Sequence, residues 1–322
     1  MLSVHLESGR VEVRRQPLPR LPSGYARIRL LAAGICSTDL ELQRGYYGFS
    51  GTPGHEFVGE VVAVHDDESK EWLGRRVAGE INLACGKCEW CKRGLGRHCP
   101  TRAVLGIVGH PGAFREFLTL PVHNLHRVPA SISTEQAVFI EPVAAACEIL
   151  DQVTIPRGDA VAVLGDGKLG LLIAQVLRAH GARVHLLGRH RDKMRIVERR
   201  GVTTELVPKK LPRHAYRWVV DATGSAEGLR AAVTMCEPRG TVIMKSTVHG
   251  LVSIDTAPLI VNEVTLVGSR CGRFEPALRL LAGKKIDVAS LIDEDFPLDR
   301  APAAFQRAAT KGVLKVLLRP PV

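Results

Sequence analysis

The chain has 322 residues, 45% of them hydrophobic and 24% charged, which allows two domains with cores of ordinary size. It contains no run of roughly 18 uninterrupted apolar residues, and Met1-Leu2-Ser3-Val4-His5-Leu6-Glu7 lacks a basic segment followed by an apolar one, so a cytoplasmic protein with no signal peptide and no membrane partner is expected. The net charge is +11, but the basic residues are scattered apart from clusters at 189–200 and 209–217, and no nucleic-acid-binding motif accompanies them; such a charge also suits an anionic cofactor.

Residues 1–33 alternate in the β manner, with Val4, Leu6, Val11 and Val13 among polar neighbours and Arg27-Ile28-Arg29-Leu30 resuming the pattern after a proline-rich turn. Gly34-Ile35-Cys36-Ser37-Thr38-Asp39 follows, then Gly54-His55-Glu56. A thiolate and an imidazole are good Zn²⁺ ligands, and a carboxylate can complete or orient such a site, although a lone Cys or His is commonly a core residue. The run 57–64 is rich in β-branched residues and reads as a strand. The first half of the chain therefore reads as an all-β, barrel-like unit with metal-bearing loops.

Cys85, Cys88, Cys91 and Cys99 have the spacing C-x2-C-x2-C-x7-C. Four thiolates this close together can wrap one tetrahedral Zn²⁺ with no open position, a structural site. An iron–sulfur cluster is the competing reading, which the x7 gap does not favour. Residues 134–153 read as a helix in which Glu141 is the one acid of an apolar run. Pro142 would kink that helix and aim Glu141 away from it, toward a metal or an arginine partner.

The texture changes near Gly158. Val161–Leu164 reads as a buried strand. Gly165-Asp166-Gly167-Lys168-Leu169-Gly170 follows as G-x-G-x-x-G, then a helix ending at Gly181 and a second strand at 183–187. This strand–turn–helix context is what dinucleotide binding requires, with the pyrophosphate at the helix N-terminus. Further strands at 218–221, 240–244 and 264–267 predict a doubly wound parallel sheet. Asp221-Ala222-Thr223-Gly224 leaves the C-terminal end of one of them, and a terminal strand is expected at 313–318.

Taken together and in this order, the Gly34–Asp39 segment, Gly54-His55-Glu56, the four cysteines, Glu141-Pro142, the glycine turn and Asp221–Gly224 resemble the zinc-containing medium-chain dehydrogenases, the alcohol and polyol dehydrogenase superfamily. The resemblance runs nearly end to end. It implies a GroES-like catalytic domain over 1–142 with a structural zinc lobe at 85–99, a Rossmann domain over 143–270 and a C-terminal return over 271–322. By resemblance, Cys36 and His55 are catalytic zinc ligands. Glu56 and Glu141 are the acids of that site, and which one ligates the metal stays open. Thr38 relays the alcohol proton and Asp39 supports His55. A relay histidine found in some relatives is replaced by Glu41. The implied reaction is hydride transfer between an alcohol or polyol and NAD(P), in a homodimer or homotetramer with no nucleic-acid partner; the alternative is a non-catalytic NADPH- or nucleic-acid-binding protein on the same fold.

The cofactor residues read from the motif are Gly165, Gly167, Lys168, Leu169, Gly170, Gly188, Arg189 and Thr223. NAD-specific Rossmann sites place an acid at the end of the second strand, about twenty residues past the first glycine. Gly188 stands there, followed by Arg189, with Arg191 and Lys193 nearby, so NADP is expected over NAD. The bland reading is a strand terminator beside a solvated basic face.

Overall fold

A computed structural model describes residues 1–247 and 251–321 of the chain, and it divides into two units, Met1–Glu141 with 292–322 and Pro142–Leu291. Alternation in Tyr25–Gly34 buries every second residue over most of its length, which makes it the central strand of the first unit. It pairs antiparallel with Glu56–Val64, Phe117–Pro121 and Lys315–Arg319. The seven-stranded sheet is completed by Arg76–Gly79, Leu125–Arg127 and Ile292–Pro297, so the C-terminal strand is stitched directly beside the central one. Leu2–Glu7 and Arg10–Arg15 form a separate hairpin. The core of this unit holds Val4, Leu6, Ile28, Leu30, Leu118 and Leu120, with Phe114 edge-on to Phe305 at 6.0 Å.

The segment read as one helix over 134–153 is two: Thr134–Ala137 and Ile140–Gln152. Ser133 caps the first, accepting the Gln136 N–H at 3.2 Å, while the Gln136 side chain accepts the Ser133 N–H at 3.0 Å. The second begins at Ile140, so Pro142 lies in its first turn. The first four N–H groups of a helix have no intrahelical acceptor, so proline costs nothing there. The expected kink is absent for that reason, and Glu141 sits half-buried in the first turn instead.

The second unit is built on a six-stranded parallel sheet. Its spatial order is Thr203–Leu206, Arg183–Gly188, Ala160–Leu164, Tyr216–Asp221, Cys236–Met244 and Thr265–Gly268. In chain order this is 3-2-1-4-5-6, so the strand order reverses between Ala160–Leu164 and Tyr216–Asp221, where open sheets of this kind bind dinucleotides. Helices Lys168–His180 and Ala226–Met235 connect its strands. Leu164, Leu187, Val219 and Val242 are packed in its core. Among the described residues no helix is long and apolar enough to cross a membrane.

Candidate catalytic and metal centres

The antiparallel register sets Gly34 opposite Glu56, which places the residues leaving one strand beside those entering the next. Cys36 follows the first strand in extended conformation and caps the helix Ser37–Gln43. The fully buried Asp39 binds both segments: Oδ2 accepts the Cys36 N–H at 2.8 Å and Oδ1 accepts the Gly54 N–H at 3.1 Å. The same Oδ1 lies 3.5 Å from His55 Nδ1, a long charge contact that backs the imidazole without a hydrogen bond of good geometry. The ligand atoms of Cys36, His55 and Glu56 all lie within 4.8 Å of one another.

The charge balance of this cluster is unusual. His55 and Glu56 are 4% and 1% exposed. Burial alone would lower the His55 pKa, but Asp39 and the Cys36 sulfur hold it well above its ordinary value. Lys315 enters from the C-terminal strand, fully buried, and its Nζ is ion-paired with Glu56 Oε2. Burial pushes the Lys315 pKa down, and Glu56, Cys36 and Asp39 more than reverse that. A side chain on Gly34 would meet Val138 at 2.8 Å, Glu56 Oε2 at 2.9 Å and Lys315 Cδ at 3.1 Å, so glycine leaves the space this pair occupies. A thiol, an imidazole and a carboxylate whose ligand atoms converge in a largely buried site fit a Zn²⁺ ion. Sequence reading did not find Lys315, because nothing local to a terminal strand signals a partner 259 residues away.

Thr38 lies on the first turn of the capped helix, half-buried, with Oγ1 3.9 Å from Cys36 Sγ. Glu41, where some relatives carry a relay histidine, is ion-paired with Arg44 at 2.7 Å. Glu141 is not among the three residues whose ligand atoms cluster.

The second cluster is local. Cys85, Cys88, Cys91 and Cys99 also have their sulfurs within 4.8 Å, as free thiols. Cys88 lies 3.4 Å from Cys91 and 3.8 Å from Cys99, and Cys85 lies 3.9 Å from Cys91. Zn–S bonds of about 2.3 Å give a tetrahedron with edges of about 3.8 Å, so this spacing fits one zinc enclosed by four sulfurs. The Lys87 and Cys88 backbone N–H groups lower the Cys85 pKa to about 6, whereas burial and the Cys88 sulfur push the Cys91 thiol up to about 12.

In the second unit, Gly165 has φ +111°, and a side chain there would meet the Ala222 carbonyl oxygen at 2.7 Å. A Cβ on Gly170 would lie 1.9 Å from the Gly165 oxygen, so the helix can approach the turn only without one. Gly167, by contrast, faces open space at the N-terminus of Lys168–His180, with Lys168 and Leu169 in its first turn. That open helix N-terminus fits a pyrophosphate. Thr223 follows the neighbouring strand, its N–H and hydroxyl donating to Asp221 Oδ1 at 3.0 and 2.7 Å. Gly188 and Arg189 lie at the end of the second strand, the one buried and the other exposed.

Comparison with known proteins identifies the two domains. Residues 22–130 match the alcohol dehydrogenase GroES-like domain, and residues 169–283 match the zinc-binding dehydrogenase domain. A sorbitol dehydrogenase from Halalkalibacterium halodurans is 27% identical, covering 97% of this chain and 96% of its own length. A D-altritol 5-dehydrogenase from Agrobacterium fabrum is 29% identical, covering 97% of each. Among solved structures, a zinc-binding dehydrogenase from Sinorhizobium meliloti bound to NADP is 28% identical with a TM-score of 0.90, covering 99% of each chain. An alcohol dehydrogenase from Thermus sp. ATN1, also 28% identical, has a TM-score of 0.89 over the whole of both chains. The chain belongs to the zinc-type medium-chain dehydrogenases and is an oxidoreductase of their alcohol and polyol branch.

Proposed function

We propose that this enzyme interconverts a polyol, or a comparable alcohol, and its carbonyl partner, with NADP favoured over NAD and two zinc ions per chain. The observation that carries this reading is the convergence of Cys36, His55 and Glu56, on a chain that also presents a dinucleotide-type glycine turn. A non-catalytic descendant would have no chemical need for that set. Both sequence relatives named above act on polyols, which supports the substrate class.

Cys36 and His55 would hold the catalytic zinc, completed by Glu56 or Glu141, and the four cysteines would hold the structural one. When bound, zinc supplies Lewis acidity at the substrate oxygen and the nicotinamide accepts or returns hydride. The protein's own residues arrange the rest. Asp39 fixes both ligand-bearing segments, Lys315 neutralises Glu56 while it waits beside the metal position, and the Thr38 hydroxyl takes the substrate proton. With Glu41 engaged by Arg44, the proton passes from Thr38 to water.

Gly167 and the first turn of Lys168–His180 would receive the pyrophosphate, with Thr223 at the edge of the cofactor site. Gly188 brings no acid to oppose a 2′-phosphate, and the Arg189 guanidinium makes no hydrogen bond or ion pair among the described residues. The exposed edge strand Thr265–Gly268, with Ile260 and Val261 74% and 78% exposed just before it, supports a homodimer or homotetramer.

The test is a panel of polyols, simple alcohols and their carbonyl partners, followed by nicotinamide absorbance with each cofactor. At least one polyol should turn over, faster with NADP. Turnover of no alcohol or carbonyl by the zinc-loaded enzyme would overturn the proposal.

A further inference from the structure

Asp166 lies between the first two glycines of the cofactor turn. Its side chain is buried, 7% exposed, and it reaches across to the end of the next strand. Oδ2 accepts the Arg189 N–H at 2.7 Å and the His190 N–H at 2.6 Å. His190 Nδ1 lies 3.0 Å from the same oxygen and 3.3 Å from Oδ1. A Cβ built on Gly188 would lie 2.7 Å from both the Cβ and Oδ2 of Asp166, and 2.8 Å from Met194 Sδ. Asp166 therefore fills the space that a side chain at 188 would need. Position 188 is where an NAD-specific domain presents its ribose-binding acid. Here a carboxylate enters that space from the opposite turn and is directed onto the loop backbone.

We propose that Asp166 is a specificity-determining positioning residue: it clamps the backbone of Arg189 and His190 so that the free Arg189 guanidinium meets the 2′-phosphate of NADP. The inference rests on the NADP reading above. Oδ2 already accepts two backbone N–H groups and lies against the His190 ring nitrogen, which leaves it a poor acceptor for a ribose 2′-hydroxyl. A carboxylate holding two successive N–H groups also removes backbone freedom from the loop before the cofactor arrives. Less order then has to be imposed when the guanidinium and phosphate form their paired hydrogen bonds.

The experiment measures Kd for NADPH and NADH by calorimetry on zinc-loaded wild type, Asp166→Asn, Arg189→Ala and the double variant. The wild type should bind NADPH more tightly. Asp166→Asn should lower the preference for NADPH about tenfold, nearly all of it through NADPH. Arg189→Ala should do the same, and adding Asp166→Asn to it should change the preference by less than about twofold, because the clamp acts through the arginine. A wild type that prefers NADH removes the cofactor reading and this inference with it. A wild type that prefers NADPH, with Asp166→Asn weakening both cofactors equally or strengthening NADPH, overturns the inference alone.

Should Asp166→Asn fail to fold, a second pair of variants tests the shared space. Gly188→Asp should lower Tm, and Gly188→Asp with Asp166→Gly should recover most of the loss and shift the preference toward NADH. Equal Tm for the single and double variants would show that the two positions do not compete, contrary to the proposal.

Discussion

The two candidate metal-ligand clusters of this chain are built in opposite ways. The four-cysteine lobe draws all its ligands from residues 85–99, burying Cys99 and keeping Cys85 exposed. The Cys36–His55–Glu56 cluster draws on two segments joined through Asp39, and is balanced by a lysine from the last strand. A closed set of soft ligands gives structure and nothing else, because no position is left for a substrate. A cluster assembled from distant segments, with one acid already neutralised by a cation, can leave a coordination position free. The difference teaches that the set with local ligand spacing fits a closed structural centre, whereas the set we propose as reactive is assembled over long range beside a buried ion pair.

The largest separation should come from exchanging one sulfur in each. Cys36→Ser should lower kcat by at least about a thousandfold with Tm little changed, since it removes Lewis-acid chemistry from the reaction. Cys91→Ser should instead lower Tm by roughly 10 °C, as ligand loss opens a site whose metal binding contributes folding energy. Thermal melts and steady-state kinetics on both variants decide the matter; retention of wild-type turnover by Cys36→Ser would erase the distinction.

Lys315 sharpens the contrast. Lys315→Met leaves Glu56 buried without its cation, which costs about 3–5 kcal/mol. Adding Glu56→Gln should restore much of that loss. Denaturant unfolding of the two single variants and the double variant measures the coupling, and additive losses would mean that the pair does not interact.

Legibility followed the same division. The parallel sheet could be read because its inner strands are apolar runs punctuated by glycines, as in Val161–Leu164 before Gly165. The edge strand Thr203–Leu206 was missed: three of its four residues are exposed, so no apolar pattern marks it. The helix Ser37–Gln43 was missed because it spans seven mostly polar residues. Cys36, His55 and Glu56 could be listed as ligand types from their chemistry, but the connection through Asp39 and the balance by Lys315 exist only once the strands pair. Asp166 occupies a variable position of the glycine turn and carries no local signal, since its partners at 189 and 190 belong to a different turn.

Glu141 is a subtler probe. It stands next to the reactive centre in the sequence reading, yet outside the clustered ligand atoms. Glu141→Gln should lower kcat on the order of a hundredfold while shifting Tm by only a few degrees. An unchanged rate with a large Tm loss would make it a purely structural acid. The smallest effect expected is at Ser133, whose capping box with Gln136 touches neither centre. Ser133→Ala should cost about 1 kcal/mol by denaturant unfolding and leave turnover intact.

The most direct test of the two-centre claim is zinc-edge X-ray absorption, with metal counting, on the wild type and on Cys36→Ser. The wild type should hold two zinc ions with a mixed shell of sulfur and lighter ligands. Cys36→Ser should hold one, surrounded by sulfur alone, because only Cys85, Cys88, Cys91 and Cys99 still close around an ion. One zinc in the wild type, or an unchanged mixed shell and count in Cys36→Ser, would contradict the assignment.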